Sequence, residues 1–113
     1  MKKIKKKKLG LMILPEHLHK ILSGKKTWEL RSRNTNIRGK IYLMASGTGR
    51  ISGYCELVDS IKVSKGKFYS NMSKHRARGY KSPLYAWVLK GAHRLKRPKP
   101  YKHPPGAIIW VRL

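Results

Sequence analysis

Gly24-Lys25-Lys26-Thr27-Trp28-Glu29-Leu30-Arg31 sets one carboxylate between two cations where a helical period gives way to a strand period. Upstream, Leu18, Ile21 and Leu22 recur at helical spacing. Pro15 precedes them where a first helical turn accepts it, and Glu16 sits beside the positive helix end. These signals predict a helix over 16–23, with Gly24 as its left-handed stop. Downstream, Trp28 and Leu30 take one face of a strand, and Thr27, Glu29 and Arg31 take the other. Glu29 and Arg31 therefore share a face, so Arg31 can hold the carboxylate ionised while Lys26 approaches from the preceding turn. Two readings of this constellation stand: an ion pair that pins the strand to the helix, or a site that faces a ligand.

Working outward, Leu9 to Leu14 reads as a short buried strand ahead of the helix, and residues 1–8 as a basic flexible tail. Asn34 to Gly39 is turn-like. Lys40 to Ala45 is rich in Ile, Tyr and Leu and predicts a second core strand, Ser46 to Gly49 a turn, and Ile51 to about Val63 a longer strand. The segment Ser64 to Ser82 has no strong period, and we expect a loop there with at most one helical turn. Tyr85 to Leu89 predicts a further strand, Arg97 through Pro105 an extended connector, and Ala107 to Val111 the strand that closes the sheet. With no internal repeat, five or six short strands and one early helix predict an α+β fold, a small β-barrel occupying 9–113.

The 113 residues carry 28 Lys and Arg against 4 Asp and Glu, a formal net charge of +24. Such an excess binds polyanions through counterion release, and nucleic acid is the commonest polyanion in a cell. A merely solubilising surface is the plainer alternative, and the run Lys5 to Lys8 supports no more than that. An apolar stretch of six residues, Leu9 to Leu14, is too short to span a membrane, and no segment pairs a basic face with a long apolar one. The single Cys55 excludes an intramolecular disulfide and a cysteine zinc site, which fits a reducing, cytoplasmic compartment.

The spaced pattern Gly-x-Lys-x-x-Glu-x-Arg, following Pro15 and the early helix, resembles the signature of the ASCH domain family. Asn36 to Ser46 resembles its second strand and Ile51 to Asp59 its third. Tyr85 to Leu89, the proline-rich connector and Gly106 to Trp110 are similar to its ending. The resemblance runs from about Leu9 to the end. It implies a PUA-like β-barrel with a nucleotide-sized basic cleft beside the helix, where Lys26, Glu29 and Arg31 gather with Ser46 close by. It also implies RNA as partner, single-stranded or structured, ahead of DNA; from the residues we expect no membrane, no metal and no cofactor, and a monomer is favoured with the oligomeric state left open. The second implied activity is an RNA-processing hydrolase, either a ribonuclease or a modified-nucleoside amidohydrolase, with Lys26 as nucleophile or acid and Glu29 as base. The family's amidohydrolase branch has a threonine where this chain has Glu29, and a second acid further on. No Asp or Glu follows Asp59 here, and that departure argues against the amidohydrolase reaction.

The remaining candidates are less specific. Arg33, Arg38, Arg50, Lys74, Arg76 and Arg78 are loop cations suited to positioning a phosphate backbone without reading sequence. The basic loop 74–81 is the expected rim over the cleft. His17 and His19 are two apart on a helix, cannot share a metal, and read as surface residues. His75, His93 and His103 lie among cations where phosphate contact is expected but unspecific. Glu56 and Asp59, three apart on a strand, face opposite sides and give no metal pair. Trp28 and Trp110 read as core, while Tyr85 and Trp87 are open to either core packing or stacking on a base.

Overall fold

The computed structural model describes residues 8–113, and the expected tail falls almost wholly outside the described residues. Six strands and three helices follow in the order β1 (Leu9–Ile13), α1 (Pro15–Leu22), β2 (Trp28–Arg31), β3 (Gly39–Ala45), β4 (Arg50–Lys62), α2 (Lys65–Ser70), α3 (Met72–His75), β5 (Tyr85–Pro100) and β6 (Trp110–Arg112). They form one sheet in the order β2-β5-β4-β3-β1-β6, in which only β1 and β3 run parallel. The sheet curls into a half-barrel with β2 and β6 as its two free edges, the α+β, PUA-like architecture the sequence predicts.

Strict alternation builds the two faces. Leu11 and Ile13 of β1, Ile41, Leu43 and Ala45 of β3, Cys55 and Leu57 of β4, and Trp87 and Leu89 of β5 turn inward onto Leu18 and Ile21 of α1. Burial there pushes the Cys55 thiol up to about 12, so it stays protonated and inert. A second cluster on the outer side packs Trp28 and Ala86 against Val63 and Phe68. A third packs Met44 against Ile51 and Val111. The residue at β4 that must lie closest to β5 is Gly53, where a Cβ would fall 2.3 Å from the His93 carbonyl oxygen.

Three local expectations need correction. The segment 64–82 holds two short helices: the Ser64 hydroxyl caps α2 by accepting from the Lys67 amide at 3.1 Å, and Phe68 anchors it. A single buried residue per turn is too little to show as a period. The stretch Arg97 to Pro100 belongs to β5. Because β2 pairs only with Tyr85 to Val88, the far half of β5 has an open edge where Pro98 and Pro100 lose no ladder bond on that side. The closing strand is shorter and later than Ala107 to Val111, covering Trp110–Arg112.

Candidate functional site

The helix stop is built as the sequence implies. Gly24 takes φ +79°, and the amides of Lys25 and Lys26 both donate back to the Lys20 carbonyl, at 2.9 and 3.1 Å. This wrap turns Lys26 under the helix, where it is 3% exposed, and feeds the chain into β2. Glu29 stands opposite Trp87 in the β2/β5 register, on the inward face, and is 5% exposed.

Glu29 is held from two sides. Its Oε2 accepts from Arg31 Nη2 at 2.9 Å, and its Oε1 lies 3.6 Å from Lys26 Nζ. The Lys26 ammonium donates to the His75 carbonyl at 2.6 Å, and Arg31 donates to the Met12 carbonyl at 2.9 Å while lying over the Trp87 ring. Burial lowers the Lys26 pKa, and the adjacent carboxylate only partly opposes that, with Lys20 and Arg31 pushing the same way as burial. The carboxylate is thus the hinge of a charged cluster with Oε1 the less engaged oxygen, free to accept from a ligand donor.

A cleft of about 400 Å³ opens over this cluster, lined by Lys26, Glu29, Arg31, Ser46, His17 and Met12 among others. It lies at the seam, the open side of the half-barrel, between β2 and the turn from β1 into α1, and a second cavity of about 320 Å³ continues from Arg31 past Arg33 to Trp110 of β6. The motif trio and Ser46 therefore meet in one place. The loop cations do not. Arg33 lines the second cavity, Arg38 pairs with Asp59 at 3.7 Å and donates to the carbonyls of Thr35 and Ile37, and Arg50 opens β4 opposite Pro100. Lys74 lies over the Trp28 ring, Arg76 donates to the Ser73 carbonyl from a left-handed backbone, and Arg78 is exposed. Of the loop 74–81, Ala77 is the residue that lines the cleft.

Two histidines depart from expectation. His75 is fully buried: its Nδ1 accepts from the Ala77 amide at 2.9 Å, its Nε2 faces the Phe68 carbonyl at 2.8 Å, and its ring stacks on Phe68. With an amide on one nitrogen and a carbonyl on the other, the ring is the neutral Nε2–H tautomer and makes no phosphate contact. His17 is half-buried in the cleft wall, and its Nδ1 is buried without a hydrogen-bond partner. Sequence reading missed it because helical spacing alone says nothing of which strand end the first turn faces. A buried polar atom without a partner at a cleft is a ready contact for a ligand. Trp87 is core, its indole N–H donating to the Arg33 carbonyl at 2.9 Å, and Trp110 stacks half-buried on it. Among the described residues no group of three or more His, Cys, Asp or Glu could hold a metal, and no helix is long and apolar enough to cross a membrane.

The model of the ASCH domain matches residues 11–99, which takes in β1, α1, the charged motif and most of β5. The chain belongs to the ASCH domain family. Among solved structures, this ASCH domain is similar to the ASCH protein of Zymomonas mobilis at 18% identity and TM-score 0.72, covering 94% of this chain and 87% of that one. A tyrosine-to-phenylalanine mutant of the same protein matches at 19% identity and TM-score 0.74, covering 96% and 91%. At such identities the likeness is one of fold. No curated protein matches the chain.

Proposed function

We propose that this ASCH domain binds RNA and that the seam cleft receives one nucleotide of it. The observation that carries the reading is the Lys26, Glu29 and Arg31 cluster lying open to a cleft of about 400 Å³ in a chain of net charge +24. Glu29 Oε1 accepts from a base edge, Arg31 fixes the carboxylate, Lys26 and Ser46 meet a carbonyl or phosphate, and His17 Nδ1 supplies one more polar contact. The surface cations elsewhere add affinity that salt screens away, whereas the cleft contacts persist.

The test is fluorescence anisotropy with a short single-stranded RNA across a salt series, comparing wild type with Glu29→Gln. The variant is expected to lose roughly 1–3 kcal/mol of binding, most visibly at high salt. Equal or tighter binding by a folded variant would mean that Glu29 is structural and that the electrostatics alone hold RNA. Ser46→Ala offers a milder second variant whose fold is not in question.

Hydrolysis in the same cleft is the second reading, favoured by one observation: burial lowers the pKa of Lys26 beside a carboxylate 3.6 Å away. Against it stands the hydrogen bond to the His75 carbonyl, which commits one of the three ammonium donors and turns the nitrogen toward that carbonyl. Chromatography of RNA and modified nucleosides after incubation with the protein decides it, since turnover lost in Lys26→Met would establish an enzyme.

A further inference from the structure

The outer face of the same sheet carries a feature that the cleft does not use. In register across β3, β4 and β5, Tyr42 stands opposite Tyr54 and Tyr54 opposite His93, so three rings form a row across three strands. The Tyr54 and His93 rings stack at 5.2 Å and 22°. Lys40, two residues before Tyr42 on the same face, places its ammonium 4.4 Å from the Tyr54 ring and 5.2 Å from the Tyr42 ring. Neither tyrosine is in the core: both are half-buried, and His93 and Lys40 are exposed. The row is flanked by two concavities. One, of about 320 Å³, has Lys40, Tyr54 and Lys90 in its walls, with Glu56 between the two lysines. The other, of about 550 Å³, has Tyr42, Leu95 and Tyr101 with Lys99 and Lys102.

We infer that this outer face is a second RNA site, a stacking platform on which bases of a single strand lie against Tyr42, Tyr54 and His93 while Lys40, Lys90 and Lys99 track its phosphates. The groups that lie against the Tyr54 ring, His93 and the Lys40 ammonium, are both exposed and can swing aside for a base, and the displaced lysine supplies charge of the sign a phosphate backbone requires. Cross-strand aromatic and charge pairs also stabilise sheets, but that role needs no cavities at both flanks, and the one carboxylate here, Glu56, stands opposite both Lys40 and Lys90 and leaves the row net positive. The cleft side chains Glu29 and Arg31 point to the inner face and these rings to the outer one, so the two sites are separate. The inference shares with the proposed function only the choice of RNA as partner.

The experiment is anisotropy with a single-stranded RNA dodecamer for Tyr54→Leu, Tyr54→Phe and Glu29→Gln, alone and combined. Tyr54→Leu is expected to weaken binding roughly tenfold without altering the salt slope, and Tyr54→Phe to retain affinity, because stacking needs the ring and not the hydroxyl. Its effect should multiply with that of Glu29→Gln, as for independent sites. Proton NMR of the wild type gives a readout that needs no variant: the ring signals of Tyr42, Tyr54 and His93 should shift on adding the dodecamer. Unmoved ring signals at saturation, or wild-type affinity in Tyr54→Leu, would overturn the platform. Loss in Tyr54→Leu but not in Glu29→Gln would leave the platform standing and remove the cleft, and the reverse pattern would do the opposite.

Discussion

The inner and outer faces of this one sheet use charge in opposite ways. Inside, Lys26, Glu29 and Arg31 are tied to one another and to the carbonyls of His75 and Met12, so each charge is oriented before any ligand arrives. Outside, Lys40, Lys90 and Lys99 lie exposed, placed by strand register and, for Lys40, by contact with the Tyr42 and Tyr54 rings. The contrast teaches that net charge and recognition are separable: in the proposed function the surface excess sets how strongly a polyanion is drawn, and a few buried groups set what is held.

The harshest way to break the comparison is Glu29→Ala. Removing the carboxylate leaves Lys26 buried without its counter-charge, and we expect a loss of about 3 kcal/mol in urea unfolding, because uncompensated buried charge is costly. A loss no greater than that of a surface ion pair would show the inner cluster to be as loosely held as the outer lysines. Next is Gly53→Ala, which drives a Cβ into the His93 carbonyl and the Leu22 side chain. Overpacking of this kind costs about 1–3 kcal/mol. Because backbone is displaced on β5, the Tyr54 and His93 ring signals should move as well, so one substitution is felt on both faces. Unchanged stability would mean that β4 and β5 separate freely.

A smaller effect concerns protonation. Lys26 is held below 10.5 in the folded protein, so between its lowered value and 10.5 the unfolded chain binds more protons. The contribution of this group to stability therefore rises with pH across that window. The unfolding free energy of wild type relative to Lys26→Met should increase as the pH is raised towards 10.5, and a flat difference would place Lys26 at its ordinary value. Least of all should be Arg38→Ala, which deletes a partly exposed pair with Asp59 and should change stability by less than about 1 kcal/mol. A larger loss would show that Arg38, through the carbonyls of Thr35 and Ile37, anchors the turn into β3.

The sequence was most legible where patterns are local and repeated. The helix after Pro15, its stop at Gly24, and the shared face of Glu29 and Arg31 follow from spacing, and the structure places them so. What could not be read depends on distant partners. His75 is written among cations, yet its place is decided by Phe68 and Ala77, which close around both ring nitrogens. His17 has surface spacing, yet the first turn of α1 faces β2 across the open seam and makes it a cleft wall. Pro98 and Pro100 read as part of a connector because nothing in the chain announces that β2 covers β5 only from Tyr85 to Val88 and leaves the rest of that edge free.

That free edge bears on how the molecule behaves in a crowd of its own kind. A sheet that does not close exposes unpaired backbone groups, and such rows are templates for adding a foreign strand. Here β2 offers four residues and β6 three, and the long uncovered half of β5 carries Pro98, Pro100 and a series of lysines and arginines. Short edges give an incoming strand few bonds, prolines interrupt the ladder, and like charges repel a second copy. The half-barrel can therefore stay open at its seam, beside the cleft, without becoming a link in an aggregate.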